Sequence, residues 1–286
     1  MTDGDPQYEI SKAFFDSVGD KVAEGPARTF NSIWGISTGW IDVIAKKLHA
    51  KQELHVKQFK ESLKEEISEI PLKHQQEPKL SVIGPALEST KYYIEDEKLR
   101  GLFINLISKA MDDRYNDDVN HAFVDIIKQL SPADAYFLKK INFNTLPAAR
   151  YLLKFENIRY IYLNDYFMID DFFNSKQSSI SLNNLSRLGL INMPEDKAMM
   201  KEGAYEEYFR TKEYYEYKSN ESFVILKEKI DKLMRENNND KEIALQKSNL
   251  SNEVFENVIK FEKIDLQKTH ISLTSFGTAF YKVCVD

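Results

Sequence analysis

Apolar positions through the middle of the chain recur at steps of three and four and mark a succession of amphipathic helices. Leu99, Leu102, Phe103, Leu106, Ile107, Ala110 and Met111 fall on one helical face. Phe123, Ile126, Ile127 and Leu130 repeat the pattern beyond the acidic break DDRYNDD. Ser131 then stands at an N-cap position, with Pro132 at the first helical site and Asp134 placed to return a carboxylate to the cap's backbone amide. Upstream, Val56, Phe59, Leu63, Ile67 and Ile70 alternate with Lys60, Glu61, Lys64, Glu65 and Glu66, which predicts a long two-faced helix ended by Pro71. Pro78 and Pro85 make the next link at least partly irregular. Nearer the start, Ile10, Phe14 and Val18 predict a first helix, and a second runs from Arg28 to Leu48, where Gly35 and Gly39 mark close packing or an irregularity.

Beyond the helix that starts at Ser131 the chain changes character. Tyr151, Leu152, Leu153 and Phe155, then Ile158, Tyr160, Ile161, Tyr162 and Leu163, flank Glu156 and Asn157 and predict a hairpin. A short helix follows, with Ile180, Leu182, Leu185 and Leu188 as its inward stripe and Gly189 in the left-handed position that ends it. Near the far end ISL reads as a strand and Thr274 as an N-cap, with Phe276, Phe280 and Cys284 on the inner face of a last helix. The fold class expected is mostly α, of the α+β type: a helical bundle over residues 1–118, then a winged-helix-like module over 119–286. Its wing is enlarged by a helical insertion at about 194–265 that holds AYEEYFRTKEYYEYK and an apolar edge of Phe223, Ile225, Leu226, Ile230 and Leu233. That insertion is expected to pack on its domain, with a partner-binding arm as the alternative.

The runs LRGLFINLISKAMDD and NHAFVDIIKQLSPADAYFL, with the distant pair SLNNLSRLGLI and ISLTSFGTAFYKVC, resemble the abortive-infection alpha (Abi-alpha) family of bacterial proteins. The resemblance lies in the order of these pieces and spans most of the chain. It implies a role in defence against phage, and it supplies no catalytic residues.

Charge lowers the odds of one class of partner. The net charge is −6, whereas proteins that hold polyanions by electrostatics usually offer a basic surface. In the recognition-like helix Ser181, Asn183, Asn184 and Arg187 are candidate nucleic-acid contacts, but Arg187 is the sole cation between Ser178 and Gly189. A winged helix used for protein contact or self-association is therefore favoured over DNA binding, with a phage or host component as the partner. The segment FNSIWGISTGWIDVIA is too short and too polar to span a bilayer. Its Ile33, Trp34, Ile36, Trp40 and Ile41 are nevertheless candidate membrane or partner contacts, with helical core as the plainer reading.

No catalytic constellation is recognisable. The five histidines show no metal-ligand spacing, and DDRYNDD beside His121 reads as an exposed interhelical loop rather than a calcium loop. Glycine-rich phosphate loops and GxSxG are absent. The reading is thus non-enzymatic, with no metal or cofactor, and a toxic enzyme with an unrecognised site is its rival. A lone cysteine, Cys284, excludes an intrachain disulfide and is expected to be a buried hydrophobe. The polar start MTDGDPQYEI lacks the pattern of a secretory signal, so a cytoplasmic protein, in contact with a membrane at most, is expected.

Overall fold

A computed structural model describes residues 50–286 except 157, 158 and 196. In chain order the elements are α1 (Ala50–Ser68), α2 (Leu80–Tyr93), α3 (Glu97–Lys109), α4 (Ala122–Ile127), α5 (Pro132–Ile141), β1 (Leu146–Phe155), β2 (Arg159–Tyr162), α6 (Ser175–Arg187) and β3 (Ile191–Asn192). There follow α7 (Lys212–Asn220), α8 (Ser222–Glu236), α9 (Lys241–Ser248), α10 (Asn252–Ile259), β4 (Phe261–Leu273) and α11 (Ser275–Phe280). The described chain is mostly helical with one four-stranded sheet, an α+β composition. It divides into two compact units, one of residues 50–142, Arg187–Leu190 and Leu273–Asp286, the other of Phe143–Ser186 and Ile191–Ser272.

The first unit is built on the stripes that the sequence predicts. Val56, Phe59, Leu63 and Ile67 of α1 are buried, as are Leu99, Leu102, Phe103, Leu106 and Ile107 of α3 and then Ala110 and Met111. Burying each of the large side chains contributes roughly 1.5–3 kcal/mol. The Asp96 carboxylate caps α3 by accepting from Leu99 N at 2.9 Å. At α5 the capping box closes in both directions, Ser131 Oγ accepting from Asp134 N at 3.2 Å and Asp134 Oδ2 from Ser131 N at 2.7 Å. Phe123 of α4 meets Phe276 and Phe280 of α11 at ring distances of 5.4 and 5.2 Å. Asn105 Nδ2 donates to Cys284 O at 3.0 Å and so ties α3 to the turn after α11.

One contact in this unit joins segments far apart in sequence. Gly189 ends α6 with a φ of +72°, a left-handed conformation that favours glycine. Thr274 Oγ1 donates to Gly189 O at 2.6 Å and accepts from Gly277 N at 2.8 Å, while Thr274 N donates to Leu190 O at 3.1 Å. Gly277 passes so near that a Cβ there would lie 1.8 Å from Leu190 O. The LGLI and LTSFG segments form a single clasp.

The second unit carries the sheet, in the order β2-β1-β4-β3. The predicted hairpin is present: β1 and β2 run antiparallel, with Leu152 opposite Tyr162 and Phe155 opposite Arg159. β1 also pairs antiparallel with β4, from Leu146 opposite Ile271 to a register shift at Lys154 and Phe155. On one sheet face Ala149, Tyr151, Leu153 and Phe155 join Phe261, Ile264 and Leu266 in a core closed by Tyr205 and Tyr208. The tyrosine-rich segment is therefore packed on the sheet. The hydroxyls of this core bond to backbone: Tyr151 of β1 donates to Tyr208 O at 2.7 Å, Tyr205 to Thr269 O at 2.6 Å, and Tyr208 to Pro147 O and Phe167 O at 3.1 Å each. Helices α8, α9 and α10 enclose a separate small core of Ile230, Ala244, Phe255 and Val258.

Four local expectations need correction. Pro85 lies inside α2, so the irregular stretch ends at Lys79. The strand expected only at ISL begins ten residues earlier, at Phe261. Ile180 is 60% exposed, and the inner face of α6 is instead Ser178, Ser179, Ser181, Leu182 and Leu185. Ser178 tolerates burial because its hydroxyl donates to Met168 O and accepts from Met168 N, both at 2.9 Å. In DDRYNDD, Asp112 is buried rather than exposed.

Candidate functional site

The predicted candidates fall in different places. Ile33, Trp34, Ile36, Trp40 and Ile41 lie outside the described residues. On α6, Ser181 is buried and faces inward, while Asn183 and Arg187 are exposed and Asn184 is half-buried. The helical period decides this, since Ser178, Ser181, Leu182 and Leu185 share the face opposite Asn183. Arg187 Nη1 donates to Gln129 Oε1 at 3.2 Å. Lys176, Ile180 and Asn183 form an outward stripe with an apolar centre, and Phe172, 79% exposed, stands just before the helix.

Three of the acidic residues of DDRYNDD, Asp112, Asp113 and Asp118, are matched to separate groups. Asp112 accepts from Arg114 Nε at 2.9 and 3.0 Å and from Arg114 N at 3.0 Å. Burial would raise its carboxyl, but the Arg114 bonds and charge outweigh that and hold it below the ordinary carboxylate range. Asp113 bonds to His74 Nδ1 at 2.8 Å and Asp118 to Lys282 Nζ at 3.3 Å. Among the described residues no group of three or more His, Cys, Asp or Glu could hold a metal. Cys284 is fully buried and its thiol is pushed up by desolvation.

Among the described residues of the second unit, two clefts stand open. One, of about 440 Å³, lies between the segment from Phe167 to Ser175 and the start of α7 at Thr211 to Glu216. Its polar groups hold local backbone: Asp170 Oδ1 accepts from Phe172 N and Phe173 N, Asn174 Oδ1 from Gln177 N, and Thr211 Oγ1 from Tyr214 N. Desolvation pushes the Tyr151 phenol beside Thr211 up to about 12. The cleft suits binding of a small group or side chain better than proton transfer near neutral pH.

The other, of about 450 Å³, lies on the sheet face away from the tyrosine core. Residues opposite each other across antiparallel strands share a face. Arg150 with Gln267, Leu152 with Tyr162 and Asp265, and Lys154 with Tyr160 and Lys263 therefore line one surface. The Arg150 guanidinium lies 3.4 Å from the ring centre of Tyr162 and 4.5 Å from that of Tyr166, and its Nε donates to Gln267 Oε1 at 2.7 Å. Lys154 pairs with Glu262 at 2.8 Å, which pushes its ammonium up, and Lys263 pairs with Asp265 at 2.9 Å. Tyr160 and Tyr162 remain 43% and 47% exposed. Sequence reasoning used these tyrosines only as strand formers. Their alternation on an edge strand, two residues apart, was the available signal.

Among the described residues no helix is long and apolar enough to cross a membrane. No curated protein and no solved structure matches the chain. The family model described as Abortive infection alpha matches residues 51–284, a span that holds the capped start of α5 and both halves of the Gly189–Thr274 clasp. The chain belongs to the abortive infection alpha family.

Proposed function

We propose that this is a bacterial anti-phage defence protein of abortive-infection type that acts through macromolecular contacts, with a protein partner or a second copy, rather than by catalysis. The observation that carries the reading is the family match over residues 51–284. Two features support contact as the mode. The order β1-β4-β3, with α6 preceding β3, supports reading this segment as a winged-helix-like module. Its recognition-like helix turns Ile180 outward between Lys176 and Asn183, and an apolar anchor with a polar rim suits a protein surface better than a phosphate backbone.

The test is expression in a phage-sensitive host against a broad phage panel. Plaquing should fall, and infected cells should be lost before progeny release. Unchanged plaquing with folded protein confirmed overturns the defence reading. Ile180→Asp should abolish protection while leaving the melting temperature in place, because surface substitutions of this kind change stability by only about 0.5 kcal/mol. Full protection by that variant refutes α6 as the contact face.

A further inference from the structure

We propose that the open face of the β2-β1-β4 sheet binds single-stranded RNA, with Tyr160 and Tyr162 as stacking platforms. The two rings occupy alternate positions of the edge strand, about 6.8 Å apart along it, and both are substantially exposed on the same face. Adjacent bases of an extended strand can each take one ring, and base–aromatic stacking of this kind accepts any base. Single-stranded RNA is recognised in this way on other four-stranded sheets.

The surroundings complete the site. Arg150 covers one side of Tyr162 and so fixes the ring, leaving an arginine–tyrosine stack for a base to extend. Arg150, Lys154 and Lys263 on this face stand against Asp265 and the neighbouring Glu262, an excess of one cation in a chain whose net charge is −6. This local excess of cations is complementary to phosphate. Asp265 sits in the same cross-strand row as Tyr162, with Leu152 between them. Its oxygens accept from Leu266 N and Lys263 Nζ, and their remaining lone pairs can accept from a ribose 2′-hydroxyl, which favours RNA over DNA. None of these residues belongs to α6, so the surface is separate from the protein-contact face.

The experiment is fluorescence anisotropy of a short, mixed-sequence, labelled single-stranded RNA titrated at low salt with the full chain. Wild type should bind, more weakly as salt rises, and should bind DNA of the same sequence at least several-fold less tightly. The double variant Tyr160→Ala/Tyr162→Ala should lose roughly tenfold or more in affinity, Tyr160→Phe/Tyr162→Phe should keep it, and Tyr92→Ala, an exposed tyrosine of the other unit, should change nothing. Lys154→Gln tests the charge independently and should lower the salt slope by about 0.7. RNA binding that is absent, that survives removal of both rings, or that is matched by DNA overturns the proposal.

Discussion

Substituting Gly277→Ala tests whether the clasp is as tight as its geometry indicates. The added Cβ would lie 1.8 Å from Leu190 O, 2.7 Å from Leu190 C and 3.0 Å from Leu190 Cα, all backbone atoms that no rotamer change can move. Ordinary carbon–oxygen contacts lie near 3.3–3.6 Å, so α11 and the segment after Gly189 must part by roughly 1.5 Å. That displacement stretches the bonds from Thr274 to Gly189 O, Leu190 O and Gly277 N. Overpacking costs about 1–3 kcal/mol and a lost cap about 0.5–2 kcal/mol, against a helix-propensity gain for alanine of about 0.5–1 kcal/mol. The net expectation is a destabilisation of about 0.5–4.5 kcal/mol, centred near 2.5 kcal/mol. Urea unfolding followed by far-ultraviolet circular dichroism reads it as a lower midpoint at constant slope. Gly101→Ala in α3 is the control, since nothing lies within 4 Å of its added Cβ, and it should be neutral or slightly stabilising. A Gly277→Ala protein as stable as wild type refutes the clasp.

Other expected outcomes rest on separate features. Leu106→Ala, at a fully buried position of α3, should cost about 2–5 kcal/mol in the same unfolding assay. Tyr151→Phe removes the hydroxyl bonded to Tyr208 O and Thr211 Oγ1 and should cost about 1–3 kcal/mol at neutral pH. Because folding raises the Tyr151 phenol from 10.0 to about 12, its contribution is full below pH 10 and is lost as pH rises toward 12; melts in that window should fall less steeply for Tyr151→Phe. Asp112 shows the opposite sign. Its folded-state value lies below the ordinary 3.8, so its contribution is complete above that value and disappears as pH drops through the lowered one. Asp112→Asn should therefore be less stable at pH 7, with the difference closing in acid melts.

Where apolar residues alone decide burial, the helical unit was legible. The stripes of α1 and α3, the capping box at Ser131 and the Thr274 cap all follow from spacing and side-chain chemistry that local structure preserves. Reading fails where a polar residue is buried by virtue of its partner. Ser178 and Asp112 sit inside because Met168 backbone and Arg114 satisfy them, and no hydrophobic count reveals such pairs. β4 was hidden because one of its faces is open: charged residues among Ile264, Leu266 and Ile271 mask the alternation of a strand. The groove at Tyr160 and Tyr162 shares that cause, being assembled from three strands whose register only the fold supplies. Helix α6 misleads for a third reason. Its one strongly apolar outward residue, Ile180, mimics core in a hydropathy pattern.

By fastening Gly189 to Thr274, the molecule holds the 191–272 excursion at its two roots. A chain pinned in this way pays only about 0.6 kcal/mol of closure entropy for each doubling of its length. The stretch from α7 to α10, between β3 and β4, can thus change length at small entropic cost without disturbing the Gly189–Thr274 seat, whereas β4 must stay paired with β1. A protease cut at the left-handed pair Asn238 and Asn239 would leave two polypeptides still fastened at that seat.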